Sequence, residues 1–316
     1  MTAPRPDPAA AAGGLLARLD MTAMVMGLFF VVIWSSAFSS AKFVVADAPP
    51  LLSLALRFAL SGAIAVGLAL AAGQSFRFTR RQWGLVVVFG ICQNSLYLGL
   101  NYIAMTRIEG GFAAIIASML PMFVAAGAWS FLGDRPGRIG ALGLGLGFAG
   151  VALIMGARIE GGADGLGVAL CLVGALALAV ATLVVRGVSP GSNLMMVVGM
   201  QMLVGAVTLA PVAALLESPW EINWTTSLIV AFLYTVIFPG LVATMVWFHL
   251  VRRIGPTNAA AFHFLNPCLG VGIAALTLGE ALEPRDLIGV AIVTVGILLV
   301  QLARRPAPDA GPAQKS

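Results

Sequence analysis

The sequence predicts an all-α membrane protein of ten transmembrane helices, arranged as two inverted five-helix repeats with both termini cytoplasmic. Three observations predict it: the composition, ten apolar runs of spanning length, and a shift that lays the second half on the first. Of 316 residues 60% are hydrophobic and 10% charged, whereas a soluble domain is about 45–50% apolar and about 25% charged. One core cannot bury that surplus, so the solvent for the remainder is lipid.

A helix rises about 1.5 Å per residue, and crossing roughly 30 Å of hydrocarbon takes about 20 residues. Runs of that length span residues 21–43, 50–72, 82–105, 109–132 and 138–156, then 166–186, 194–216, 225–249, 257–279 and 285–303. The loops between them are short and leave no room for a soluble domain. Residues 1–20, rich in Pro and Ala without a cleavage-site pattern, read as a disordered tail. Repeat one then covers 21–156, repeat two covers 157–305, and 306–316 form a C-terminal tail.

Cytoplasmic loops retain positive charge. With the N-terminus inside, the outer side holds only Lys42, Arg107, Arg158 and Arg285; Arg57 lies within a helix, and the other 13 of the 18 basic residues fall inside. Both termini are therefore expected in the cytoplasm. These basic residues form no continuous stripe, so nucleic acid is not an expected partner. Cys92, Cys171 and Cys268 lie in separate apolar runs without a CxxC pair and imply neither disulfide nor metal.

Shifting the sequence by 146 places Arg107 on Arg253, Pro121 on Pro267, Gly133-Asp134 on Gly279-Glu280, Gly143 on Gly289 and Gly150 on Gly296. A shift of 144 places Lys42 on Arg186 and Arg57 on Gln201. Each unit has five crossings, an odd number, so the second enters the membrane from the opposite side. Inverted repeats of this kind are the architecture of secondary transporters, which exchange the conformations of two similar halves around a fixed site.

Trp34-Ser35-Ser36-Ala37-Phe38 with Lys42, Arg57, and Pro121…Gly133-Asp134…Gly143…Gly150 echoed by Asn266-Pro267…Gly279-Glu280…Gly289…Gly296 resemble the EamA-type drug/metabolite transporter superfamily. The likeness covers roughly residues 22–303. It implies ten helices, two repeats, and export or exchange of small metabolites across a bacterial inner membrane. The chain is also similar to YddG-type exporters, which links it by resemblance to aromatic amino acids. Asp134 stands where the family usually carries Glu, and the charge is kept.

Polar side chains at membrane depth are costly and mark candidate solute pathways. The third helix carries Asn94, Tyr97 and Asn101 at i, i+3 and i+7, one face of an α-helix. Such a face either lines a cavity or bonds across packed helices. In the eighth helix Tyr234 precedes Pro239-Gly240, where a proline kink either serves as a hinge or is inert packing. Trp34 sits near mid-membrane beside Ser35, Ser39 and Lys42, and either covers an apolar solute or packs in the core. Ser hydroxyls and Lys42 would meet the polar end of a solute, with Lys42 suited to a carboxylate. Arg57 reads more readily as structural, bonding helix-end carbonyls. Ser118, His263 and Asn266 lie near the paired prolines Pro121 and Pro267, further candidate hinges.

Gly145-Leu146-Gly147-Phe148-Ala149-Gly150 matches GxGxxG but lies in an apolar helix with no preceding strand, so close helix packing through Gly143 and Gly147 explains it. No HExxH, Walker A or metal-ligand cluster occurs, and no cofactor is expected. The function that follows is export or exchange of small organic metabolites, foremost amino acids with apolar or aromatic side chains. Membrane lipid and the solute are the expected partners, and the chain is expected as a monomer or homodimer in a bacterial inner membrane. Cationic drugs as cargo and an intramembrane enzyme are the alternatives. The absence of an interior Asp or Glu opposes the first, and the absence of an acidic partner for either His opposes the second.

Overall fold

A computed structural model of the chain describes residues 20–133, 137–160, 164–185, 193–279 and 284–303, and these are helical with no strand among them. In chain order the helices are α1 (Met21–Asp47), α2 (Pro50–Ala71), α3 (Arg80–Ala104) and α4, in two pieces (Gly110–Ala117 and Leu120–Leu132). Then follow α5 (Arg138–Glu160), α6 (Gly165–Val185), α7 (Leu194–Leu216), α8 (Thr226–Ile254), α9 (Pro256–Leu278) and α10 (Pro284–Leu302). Among the described residues 8 helices are long and apolar enough to cross a membrane, whereas α5 and α10 carry shorter apolar stretches, 138–153 and 287–300. The expectations placed on the two tails, Asp134, Arg186 and Glu280 lie outside the described residues.

The helix boundaries have local causes. Asp20 caps α1 by accepting from the Ala23 amide at 3.0 Å. Thr79 and Gln82 form a reciprocal capping box at the start of α3. The N-terminus of α2 begins with a proline, and its orphan Leu51 and Leu52 amides donate to the Glu217 carboxylate at 2.9 and 2.6 Å. That carboxylate belongs to the C-cap of α7, so the bond ties two helices as well as capping one. Gly133 and Gly279 end α4 and α9 at φ 70° and 71°, the left-handed turn that glycine adopts without a Cβ penalty.

Four helices depart from a continuous α-helix. α3 contains a π-helical stretch, Ile91–Leu98, and α8 contains another, Val236–Ala243, at a constant offset of 145. The second includes Pro239, which has no N–H to give Thr235, so the kink expected there takes the form of a wider turn. Glycine at 240 suits this kink, because a Cβ there would lie 2.9 Å from the Ser61 hydroxyl and 3.0 Å from the Thr235 carbonyl. In α4 the break falls at Ser118-Met119, just before Pro121. In α9 a 3₁₀ stretch, Ala261–Leu265, precedes Asn266-Pro267. Pro121 and Pro267 thus each sit in the first turn of a new helical piece, where the missing donor costs least.

Two pairs pack most extensively, α2 with α7 and α5 with α10. In the second pair a Cβ on Gly143 would lie 2.7 Å from the Gly296 carbonyl, and one on Gly150 would lie 2.7 Å from the Gly289 carbonyl. The two helices therefore run antiparallel, backbone against backbone. α2 and α7 are antiparallel as well, since Leu51 meets Glu217 while Gly62 meets Gly199. Outward faces stay apolar: Val173, Leu176 and Val180 of α6 and Leu215 of α7 are exposed, as lipid contact requires.

Gly143→Ala should force α5 and α10 apart and destabilise the protein by about 1–3 kcal/mol, read as a lower melting midpoint in detergent. Gly145→Ala, whose Cβ meets nothing within 4 Å, should leave the midpoint unchanged.

Candidate functional site

A cavity lies among α1, α2, α3, α7 and α8, with Trp34, Arg57, Gln93, Tyr97 and Pro239 in its wall. It is small, about 30 Å³, on the scale on which one water takes roughly 10–15 Å³. The Trp34 and Tyr97 rings are parallel, 4° apart in plane with centroids at 6.1 Å. Three polar atoms of its lining residues, Trp34 Nε1, Gln93 Oε1 and Tyr97 Oη, are buried without a hydrogen-bond partner among the described residues. The indole N–H and the phenol lie near each other, yet make no bond of ordinary geometry. An orphaned buried donor or acceptor costs about 1–3 kcal/mol. The wall therefore carries unspent donors and an acceptor beside two aromatic faces.

Of the sequence candidates, Trp34, Asn94, Tyr97, Asn101 and Pro239 reach the lining. The two asparagines meet the cavity and bond to neighbouring helices as well, so the two readings of that face coexist. Asn94 Nδ2 donates to the Gln201 backbone and side-chain oxygens at 2.8 and 2.6 Å. Asn101 Nδ2 donates to the Tyr97 carbonyl at 2.8 Å, while its Oδ1 accepts from Cys171 of α6 at 3.3 Å. Their amides thus diverge, one toward α7 and one toward α6. The single α-helical face expected from the i, i+3, i+7 spacing is altered because Asn94 and Tyr97 lie in the π-helical stretch.

The remaining polar candidates lie outside the lining. Lys42 Nζ donates to the carbonyls of Met105 and Ile108 at 2.7 and 2.9 Å, completing the C-terminal end of α3 as a cation there favourably does. Lys42, read from the sequence as suited to a substrate carboxylate, is not among the residues that line the cavity. Ser35 Oγ donates to Asn266 Oδ1 at 3.0 Å, and Asn266 Nδ2 lies 3.0 Å from His263 Nδ1. That buried trio joins α1 to α9 behind Trp34, outside the lining. The Ser118 hydroxyl turns back to the Ile115 carbonyl, and Tyr234 bonds Ser36 at 2.5 Å. Ser39 is buried with its hydroxyl unpartnered, also outside the lining.

On the side toward the α1 N-terminus the cavity ends at an aromatic plug. Phe30 stacks on Trp247 at 4.8 Å, and the His263 ring stands edge-on to Phe30, Trp34 and Trp247 at 5.3, 5.7 and 5.3 Å. All four residues are buried.

The sequence model of the EamA-like transporter family matches this chain twice, over residues 21–156 and 165–302. The chain belongs to the EamA-like transporter family. It is 28% identical over 279 residues to the uncharacterized transporter YvbV of Bacillus subtilis, a match covering 88% of this chain and 91% of that protein. It is 22% identical over 280 residues to the uncharacterized inner membrane transporter YedA of Escherichia coli K12, covering 86% and 88%. Protein PecM of Dickeya dadantii is 24% identical over 273 residues, covering 85% and 89%. A solved structure described as "Crystal structure of protein" superposes with a TM-score of 0.69 at 22% identity, covering 88% of this chain and 96% of that one. That likeness shows the fold.

Within this EamA-like transporter, sequence reasoning underrated one polar lining residue, Arg57, and missed Tyr102 and Thr244. Arg57 Nε donates to the Thr235 carbonyl at 3.1 Å and Nη1 to the Tyr102 hydroxyl at 3.2 Å. It therefore bonds a carbonyl at the start of the α8 kink, not one at a helix end. Tyr102 lines the cavity too. An arginine inside an apolar run was the available signal for Arg57, whereas nothing in the pattern marks Tyr102.

Asn266→Leu removes the shared partner of Ser35 and His263 in a buried site. It should lower stability by about 1–3 kcal/mol for each group left unpaired, measurable as a reduced melting midpoint in detergent.

Proposed function

We propose that this protein is a secondary transporter that exports or exchanges small organic metabolites, foremost amino acids with apolar or aromatic side chains, by alternating access. The observation that carries this reading is the cavity wall, where two parallel rings stand beside buried polar atoms that no described residue satisfies. Apolar faces suit a solute's body, and unspent hydrogen-bonding atoms suit its polar end. In the proposed architecture ten helices cross the membrane as two inverted five-helix repeats, with both termini cytoplasmic and a bacterial inner membrane as the location. Its support is the twofold family match, the antiparallel pairing of α2 with α7 and α5 with α10, and the reciprocal Gly143–Gly296 and Gly150–Gly289 contacts. A two-fold axis makes residue i of one half meet j of the other, and j meet i.

On this reading the plug of Phe30, Trp34, Trp247 and His263 closes the cytoplasmic side. A space of about 30 Å³ is too small for an aromatic amino acid, so the walls must part before one binds. Pieces that meet at Pro121, Pro239-Gly240 and Pro267 are where such motion is proposed to hinge, because backbone bonding is already interrupted there. Cationic cargo is disfavoured, since no acidic side chain lines the cavity. An enzyme is disfavoured as well: His263 is held by Asn266 and lacks a carboxylate partner among the described residues.

In proteoliposomes, labelled Phe, Trp, Thr and Met should equilibrate faster than in empty vesicles. Trp34→Ala and Tyr97→Ala should each slow flux about tenfold, the order expected for one aromatic contact of about 1–1.5 kcal/mol. Equal rates with and without protein for all four amino acids would overturn the amino-acid assignment.

A further inference from the structure

Arg57 is the one charged residue among those lining the cavity, and it is 3% exposed. No carboxylate of a described residue lies within ion-pairing distance of it. Its partners among the described residues are neutral: the Thr235 carbonyl, the Tyr102 hydroxyl, and the Phe58 ring 5.4 Å from the guanidinium carbon. A guanidinium has five N–H donors. Two are used here, so three have no acceptor among the described residues. Burying a cation without a counter-charge is costly, and the cost falls when an anion enters the same cavity. The other nearby cation offers no alternative, because Lys42 already donates to the carbonyls at the end of α3.

We infer that Arg57 is the carboxylate-binding residue of this cavity, and that its ligands are small organic acids, zwitterionic amino acids included. The inference deepens the transport reading and rests on it. Geometry sets the roles. Thr235 and Tyr102 hold Nε and Nη1 in place, which fixes the guanidinium plane and leaves its remaining edge for a planar carboxylate, the partner that an Arg fork matches best. The unpartnered Gln93 Oε1 is an acceptor and suits an ammonium group. The unpartnered Trp34 N–H and Tyr97 O–H are donors, and the parallel rings that carry them face an apolar body. A cation lacking a carboxylate would bring a second positive charge beside Arg57 in a site of low dielectric, where like charges repel strongly.

The test uses the full chain in detergent with four probes: phenylalanine, phenylalaninamide, 3-phenylpropionate and phenethylamine. Each is titrated while the melting midpoint is followed. Phenylalanine and 3-phenylpropionate should stabilise the wild type at concentrations at least about tenfold below the amide and the amine, the loss expected for one charge-assisted hydrogen bond. Arg57→Gln should remove that preference, and Arg57→Lys, which keeps the charge but not the fork, should retain part of it. Should Arg57→Gln fail to fold, the wild-type comparison and Arg57→Lys decide the matter. Equal binding of acid and amide by the wild type overturns the inference, as does a preference that survives in Arg57→Gln or the absence of binding by every probe. Labelled phenylalanine flux in liposomes separates the two readings. Flux without acid preference overturns the Arg57 assignment and leaves transport standing, whereas absence of flux for all the amino acids removes the amino-acid reading itself.

Discussion

A polar group carried to the depth of a lipid bilayer must find its partner inside the protein, because the surroundings supply none. The arrangement of α2 against α8 follows from that constraint. Pro239 removes the donor that Thr235 would have used, α8 widens into a π-helical stretch, and the carbonyls of Thr235 and Val236 accept from Arg57 and Ser61 at 3.1 and 3.0 Å. Those two donors lie one turn apart on α2. One proline in one helix is thus coupled to an arginine and a serine in another, and the arginine reaches the cavity wall through that coupling. Glu217 at the start of α2 and Lys42 at the end of α3 meet the same requirement with charged side chains at helix ends, where the dipole assists them.

Close approach of backbones is the second constraint. Between apolar helices in lipid, association comes from contact and packing, so glycine at the crossing lets two backbones meet. α5 and α10 use this along their crossing, at Gly143 against Gly296 and Gly150 against Gly289. The tight pairing there contrasts with the centre of the bundle, where α1, α3 and α8 are held by side chains that leave a gap. Packing at the periphery and space at the centre are what a bundle needs if its halves are to move as units around a site.

The site itself is asymmetric along the bundle. Toward the α1 N-terminus, Phe30, Trp247 and His263 fill the space behind Trp34 with ring contacts near 5 Å, and the Ser35–Asn266–His263 chain ties α1 to α9 there. Toward the α1 C-terminus, the wall keeps unpartnered atoms on Trp34, Gln93 and Tyr97 together with the Arg57 guanidinium. Trp34 belongs to both regions: its ring stacks with Tyr97 on one side and meets the His263 edge on the other. A solute seated at Tyr97 would therefore touch the plug through one residue.

The sequence by itself determined the class of fold and most of the helix positions, because both are one-dimensional quantities. Apolar length fixes whether a segment suits lipid, and capping or proline residues such as Asp20, Thr79, Pro121 and Pro267 act on the chain beside them. It also marked Trp34, Asn94, Tyr97 and Asn101, since a polar or amphipathic group inside an apolar run is visible without coordinates. Only the tertiary structure decided how those groups are used. Ser35, His263 and Asn266 look like separate candidates along the chain, and they become one closed network because α1 and α9 pack together. Lys42 looks available until the end of α3 is laid across it. Arg57 reads as a structural residue until its neighbours are counted and none among the described residues is acidic. A hydrogen bond depends on which helices are adjacent and in what rotation, and π-helical turns that shift this rotation leave no periodic trace in the residues that form them.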